Sequence, residues 1–343
     1  MSLDLAAFAH GLPKAELHLH LEGTLEPELK FALAERNGIE LAEKTVEEVR
    51  ATYDFHDLTS FLAVYYPAMR VLQTAADFED LAWAYLQKAR SQGVVHAELF
   101  FDPQAHTSRG VPFDAVVTGY RNAIVRAERE LDLSAELIMC FLRDFSAEYA
   151  MATLMEALPY RRWIVGLGLD SDERDNPPGK FAEVFARGRE EGFLLTMHCD
   201  IDQVGSIDNI RTVVADIGVD RIDHGTNIVE DPELVALVAE KGLGLTCCPI
   251  SNSFVTEQMK ADEIVGLMRQ GVRVTINSDD PAYFGGYVAD NYVALAEHAG
   301  LSATDLVQLA INSFEASWLT PARREAYIAS VADYATANGV DLP

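Results

Sequence analysis

Short apolar runs alternate along the chain with longer stretches of helical period. The runs cover residues 15–21, 94–101, 136–142, 163–169, 193–198, 221–224, 243–248 and 272–278. Between them, segments such as 181–191, 232–241 and 261–270 are amphipathic, and several end at a Gly that suits a helix C-cap. Strands buried on both faces read as near-continuous apolar runs, so eight of them alternating with helices predict an α/β fold, a (β/α)8 TIM barrel. An open doubly wound sheet is the alternative, but no Gly-x-Gly-x-x-Gly turn follows any run. The stretch 26–92 after the first run predicts several extra helices that could cap the barrel mouth, and 302–338 predicts a helical C-terminal closure. Phe61, Tyr65 and Tyr66 recur at helical spacing; core packing is the expected use, a lid over an apolar ligand the other. No repeat, linker or low-complexity tract appears, so residues 1–343 are expected to form one domain.

The first run also carries candidate chemistry. Side chains on a strand alternate faces, so His18 and His20 point to one side and can grip one ion. His198, His224 and Asp279 each end a later run, which is where a barrel of this kind gathers catalytic groups. Three imidazoles and a carboxylate suit one zinc ion per chain with a position left for water, whose pKa the metal lowers to about 7. The remaining imidazole, assigned to His224, would orient and deprotonate that water.

Charge and cysteines narrow the setting. With 54 acidic against 27 basic residues the net charge is −27, which argues against nucleic acid and against an anionic membrane surface. Cys140, Cys199, Cys247 and Cys248 have no disulfide or zinc spacing, and neither a signal peptide nor a membrane-length apolar stretch is visible. A soluble protein of the reducing cytoplasm is expected, with homo-oligomerisation left open.

Leu17-His18-Leu19-His20-Leu21-Glu22-Gly23, the lone His198, Ile222-Asp223-His224-Gly225 and Asn277-Ser278-Asp279-Asp280-Pro281 resemble the adenosine/adenine deaminase family of the amidohydrolase superfamily along nearly the whole chain. The resemblance implies one zinc held by His18, His20, His198 and Asp279, water assisted by His224, and purine N7 met by Asp280. It implies hydrolytic loss of ammonia or an amine from purine C6. The segment Phe100 to Thr107 looks like that of adenine deaminases, and Glu22 stands where adenosine deaminases carry a ribose-binding Asp. Both features point to a free base, with Glu22, Phe61, Phe101, Asp170 and Ser171 as expected substrate contacts. Adenosine itself, or a catalytically impaired purine-binding relative, is the alternative.

One departure stands out. The family's His-Ala-Gly-Glu, whose Glu protonates purine N1, is replaced by His198-Cys199-Asp200-Ile201-Asp202. Asp200 or Asp202 is expected to take over the proton, Asp200 first, and the altered loop resembles that of a branch acting on N6-substituted adenines.

Overall fold

The computed structural model describes residues 3–199, 202–256 and 258–343. Its strands are β1 (Lys14–Glu16), β2 (Val94–Phe101), β3 (Ser134–Leu142), β4 (Ile164–Asp170), β5 (Leu194–Leu195), β6 (His198–Cys199), β7 (Arg221–His224), β8 (Gly244–Cys247) and β9 (Arg273–Ile276). Every ladder is parallel, in the orders β1-β2-β3-β4-β5 and β6-β7-β8-β9. Strands β5 and β6 share one barrel position. The residues between them still bond sideways: Thr196 N donates to Leu167 O at 2.9 Å, and Asp223 N donates to Met197 O at 2.9 Å. The eight-fold (β/α) barrel expected from the apolar runs is the fold of this protein.

The first run is shorter as a strand than its apolar pattern suggests. Only Lys14–Glu16 pairs regularly, with a register shift between Lys14 and Ala15. Beyond it the chain is shared between both neighbours and closes the barrel. Asp279 N donates to His18 O at 3.1 Å and His20 N to Asp279 O at 3.0 Å, while Leu21 N donates to Phe100 O at 3.0 Å. Leu17, Leu19 and Leu21 are fully buried toward the helices, and the two histidines therefore face the barrel axis.

Inside the barrel, Phe100, Ile138 and Cys140 form a small cluster of their own beneath the histidines. Below it, Arg221 pairs with Glu98, and its guanidinium lies 4.3 Å from the Trp318 ring. Trp318 also donates its backbone N–H to Glu98 Oε1 at 2.6 Å. The indole has room because Gly166 faces it: a Cβ there would come within 2.3 Å of the ring.

The stretch after β1 folds into the helices Pro27–Arg36, Val46–Arg50, Leu58–Ala68 and Ala75–Ser91, as its pattern predicted. Helix Leu58–Ala68 starts at a capping box between Asp57 and Ser60 and carries Pro67 in its last turn. Helices Ala303–Glu315 and Pro321–Ala337 form the C-terminal closure. Among the described residues no helix is long and apolar enough to cross a membrane.

Candidate active site

His18, His20, His198 and Asp279 converge at the mouth, their ligand-type atoms all within 4.8 Å of one another. His18 Nε2 lies 3.3 Å and His20 Nε2 3.4 Å from Asp279 Oδ1, and His20 Nε2 lies 3.1 Å from His198 Nε2. Donors about 2.0–2.1 Å from a tetrahedral ion stand about 3.3 Å apart, so these spacings are those of a metal shell. His18 Nε2 is buried without a hydrogen-bond partner, a cost that a bound ion removes. Charge states agree as well. Burial and the neighbouring His224 push the His18 imidazole down to about 4, hence neutral. Burial alone would raise the Asp279 carboxyl, but the histidines around it hold it well below the usual carboxylate range.

Further side chains fix the ring orientations. His18 Nδ1 lies 2.8 Å from Thr246 Oγ1, which donates to Asp223 Oδ1 at 3.0 Å. Asp223 Oδ2 is 3.5 Å from His198 Nδ1, and Asp170 Oδ2 is 3.5 Å from His20 Nδ1. Ser251 Oγ donates to Asp279 Oδ2 at 2.6 Å, and His224 Nε2 lies 3.9 Å from that same oxygen. His224 and Asp279 both adopt left-handed backbone, φ 58° and 64°, as does Ser171 at 73°. Such strain persists only where surrounding structure holds it, commonly at functional sites.

The cluster opens into a pocket of about 60 Å3. Leu58, Phe61, Leu62, Tyr65 and Tyr66 of helix Leu58–Ala68 roof it, so the lid alternative, not core packing alone, describes these aromatics. Asp102, Asp170 and Asp280 supply its acidic wall. Burial, then the charge of Asp279, pushes the Asp280 carboxyl well above the usual range.

The sequence profile of the family described as adenosine deaminase matches residues 13–334. The chain belongs to that family. Among curated relatives, an adenine deaminase of Rhodospirillum rubrum is 50% identical over 94% of this chain and 97% of its own length. The solved adenine deaminase of Arthrobacter aurescens superimposes with a TM-score of 0.91 at 43% identity, covering 95% of this chain and 99% of that one. An amidohydrolase of Burkholderia ambifaria with bound zinc gives a TM-score of 0.87 at 26% identity, covering 99% and 96%.

In this member of the adenosine deaminase family, His20, His198, Asp279, His224, Asp280, Phe61, Asp170 and Ser171 line the pocket, and His18 lies fully buried behind them in the same cluster. Three expectations are corrected. Phe101 faces outward: strand alternation turns it toward helix Phe113–Glu130, its ring 5.8 Å from that of Tyr120, and Phe100 is the residue under the histidines. Glu22 is fully buried behind the pocket wall, its Oε1 accepting from Tyr120 Oη at 2.9 Å and engaging His106 Nε2 at 2.8 Å. It therefore does not enter the space of a ribose. Asp202 is turned away from the site and pairs with Lys260 Nζ at 3.0 Å, beside Asn227 Nδ2 at 3.1 Å. Asp200, the other acid named from the sequence, lies outside the described residues. Several pocket residues were not named as contacts from the sequence, among them Asp102, Glu173 and Ser251. Asp102 follows β2 as Asp170 and Asp280 follow their strands, a signal the sequence did contain. Glu173 ends the segment 170–173 after β4, which the resemblance places near purine N3, and is held by Arg143 Nη1 at 3.1 Å.

Proposed function

We propose that this protein is a zinc-dependent deaminase of adenine-type free bases, taking adenine or an N6-substituted adenine and water to hypoxanthine and ammonia or the amine. The observation that carries this reading is a cluster of three imidazoles and one carboxylate opening into a small pocket with Asp280 beside it. Adenine deamination is the printed activity of the relatives from R. rubrum and A. aurescens. His18, His20, His198 and Asp279 would hold the ion, and the wide presence of imidazole among them favours zinc. A zinc ion there supplies water ionised near neutral pH.

The chain's own residues do the rest. His224 takes the proton of the attacking water and orients it, being next to Asp279. Asp280 meets N7, as the resemblance implies, and Phe61 with Tyr65 and Tyr66 excludes bulk water from the purine faces. Asp200 gives the proton to N1, a role resting on its place two residues after His198. Residues 1–343 act as one domain, since the main apolar cluster runs from Phe8 to Ala335, and four buried cysteines suit a reducing cytoplasm.

The test is a purine panel on metal-analysed protein, following ammonia and amine release. Adenine or N6-methyladenine is expected to be turned over far better than adenosine. Equal specificity constants for adenine and adenosine, or no release from any purine, would reject the reading. Asp200→Asn is expected to lower kcat by about a hundredfold to ten-thousandfold with zinc retained, the usual cost of losing a general acid.

A further inference from the structure

Asp102 stands at the mouth end of β2, just before Pro103, and its side chain lines the pocket. The residue is 1% exposed, and Oδ1 is buried without any hydrogen-bond partner. An acceptor stripped of water and left unpaired is costly, so the position calls for a donor that the protein does not supply. Among the described residues none donates to Oδ1. Carboxylate oxygens of Asp102 and Asp170 and a His20 ring nitrogen lie within 4.8 Å of one another. Glu22, behind, takes Tyr120 and His106 on its Oε1 and supplies no donor. Among the described residues, no Lys or Arg lines this pocket. Burial, then the charges of Asp170 and Glu22, pushes the Asp102 carboxyl well above the usual range. A neutral carboxyl still accepts through its carbonyl oxygen.

The order of strands around the mouth shows which purine atom this acceptor meets. From the end of β9 round to the end of β4, the acidic positions come as Asp280, Glu22, Asp102 and then Asp170 with Ser171. A purine with C6 at the histidine cluster and N7 at Asp280 presents, in the same sense, C8, N9 and then N3. Asp102, between Asp280 and Asp170, falls opposite N9.

We infer that Asp102 is the residue that distinguishes a free base from its nucleoside, by accepting the N9–H that only the free base carries. The inference rests on the deaminase reading above and moves the discrimination from Glu22 to Asp102. In a nucleoside a sugar carbon replaces that hydrogen, so the acceptor is left unpaired against carbon and the space is filled. Sites built to bond a polar hydrogen reject analogues lacking it by about 10⁴–10⁵.

The experiment compares adenine with 9-methyladenine as substrates of the zinc-loaded full chain, and hypoxanthine with 9-methylhypoxanthine as calorimetric ligands. Wild type is expected to prefer adenine by about 10³-fold or more, with a matching preference for hypoxanthine in binding. Asp102→Ala is expected to lower kcat/KM on adenine by about a hundredfold, chiefly through KM, and to bring the adenine to 9-methyladenine ratio below about ten. Asp102→Asn, whose amide oxygen still accepts, restores part of the ratio. Wild type that treats base and 9-methyl base alike, or Asp102→Ala that keeps the full ratio with zinc bound, overturns the assignment. If Asp102→Ala does not fold, Asp102→Asn and the wild-type binding pair decide it. Wild type inert on adenine would instead defeat the deaminase reading, while the two hypoxanthines still test Asp102.

Discussion

Gly23 illustrates how tightly single residues are fixed around the site. A Cβ there would come within 2.1 Å of Asp280 Oδ1, so Gly23→Ala must displace the carboxyl assigned to N7. An error of about 1 Å in a positioning group can cost about a hundredfold. Steady-state assays should show such a fall in kcat/KM while metal content stays at the wild-type level. For the ion itself, purified protein should carry about one divalent ion per chain by elemental analysis, and His20→Ala should lose most of it while remaining folded. Two tightly held equivalents would contradict a single-ion site. At this scale the sequence was legible where chemistry follows from spacing: His18 and His20 alternate on one extended segment, and Asp279 follows a strand. It was misleading where a side chain's partners come from far along the chain. Glu22 Oε1 is held by Tyr120 and His106, and Asp202 by Lys260, and these partners cannot be foreseen from the local pattern. Asp202→Asn should accordingly leave kcat near the wild-type value, in contrast to Asp200→Asn.

Among the elements, helix Leu58–Ala68 matters most for the ligand. Its aromatic spacing fitted both a core helix and a lid because it serves both: Phe61 packs 4.8 Å from the Phe284 ring while also lining the pocket. Periodicity reports an apolar face, and does not say whether protein or ligand will cover it. Phe61→Ala should raise KM for the base more than it lowers kcat, since it removes binding surface and no reacting group. The helix start is held by Asp57, which accepts from Ser60 N at 2.8 Å. Asp57→Ala should cost about 1 kcal/mol of stability, measurable by denaturant unfolding. The strands were legible as apolar runs, yet their lengths were not. The segment 17–21 divides its hydrogen bonds between two neighbours, and the fifth barrel position splits into β5 and β6, neither of which leaves a mark on hydropathy.

For the whole molecule, alternation of apolar and amphipathic stretches was enough to predict the barrel, because parallel strands covered on both sides must be apolar throughout. Its polar interior was not foreseen. Lys14, beside Glu16 and 5.6 Å from the Tyr292 ring, is pushed down by burial to about 7 from 10.5. The unfolded chain keeps that proton up to about 10.5 and the folded one only to about 7, so stability should rise with pH across this window. Thermal unfolding should show that slope in wild type and a flatter one in Lys14→Met. The Trp318 plug has a consequence in time. The ribosome makes all the strands before it makes the residue that stacks on Arg221 and fills the space beside Gly166. The nascent barrel thus keeps an uncovered ion pair until Trp318 itself has emerged, so emergence of that residue, not of the last strand, is the moment when it can lock. Stalled chains ending before Trp318 should remain bound by chaperones and cleaved by protease, and chains stalled on a C-terminal extension that carries Trp318 clear of the ribosome should resist.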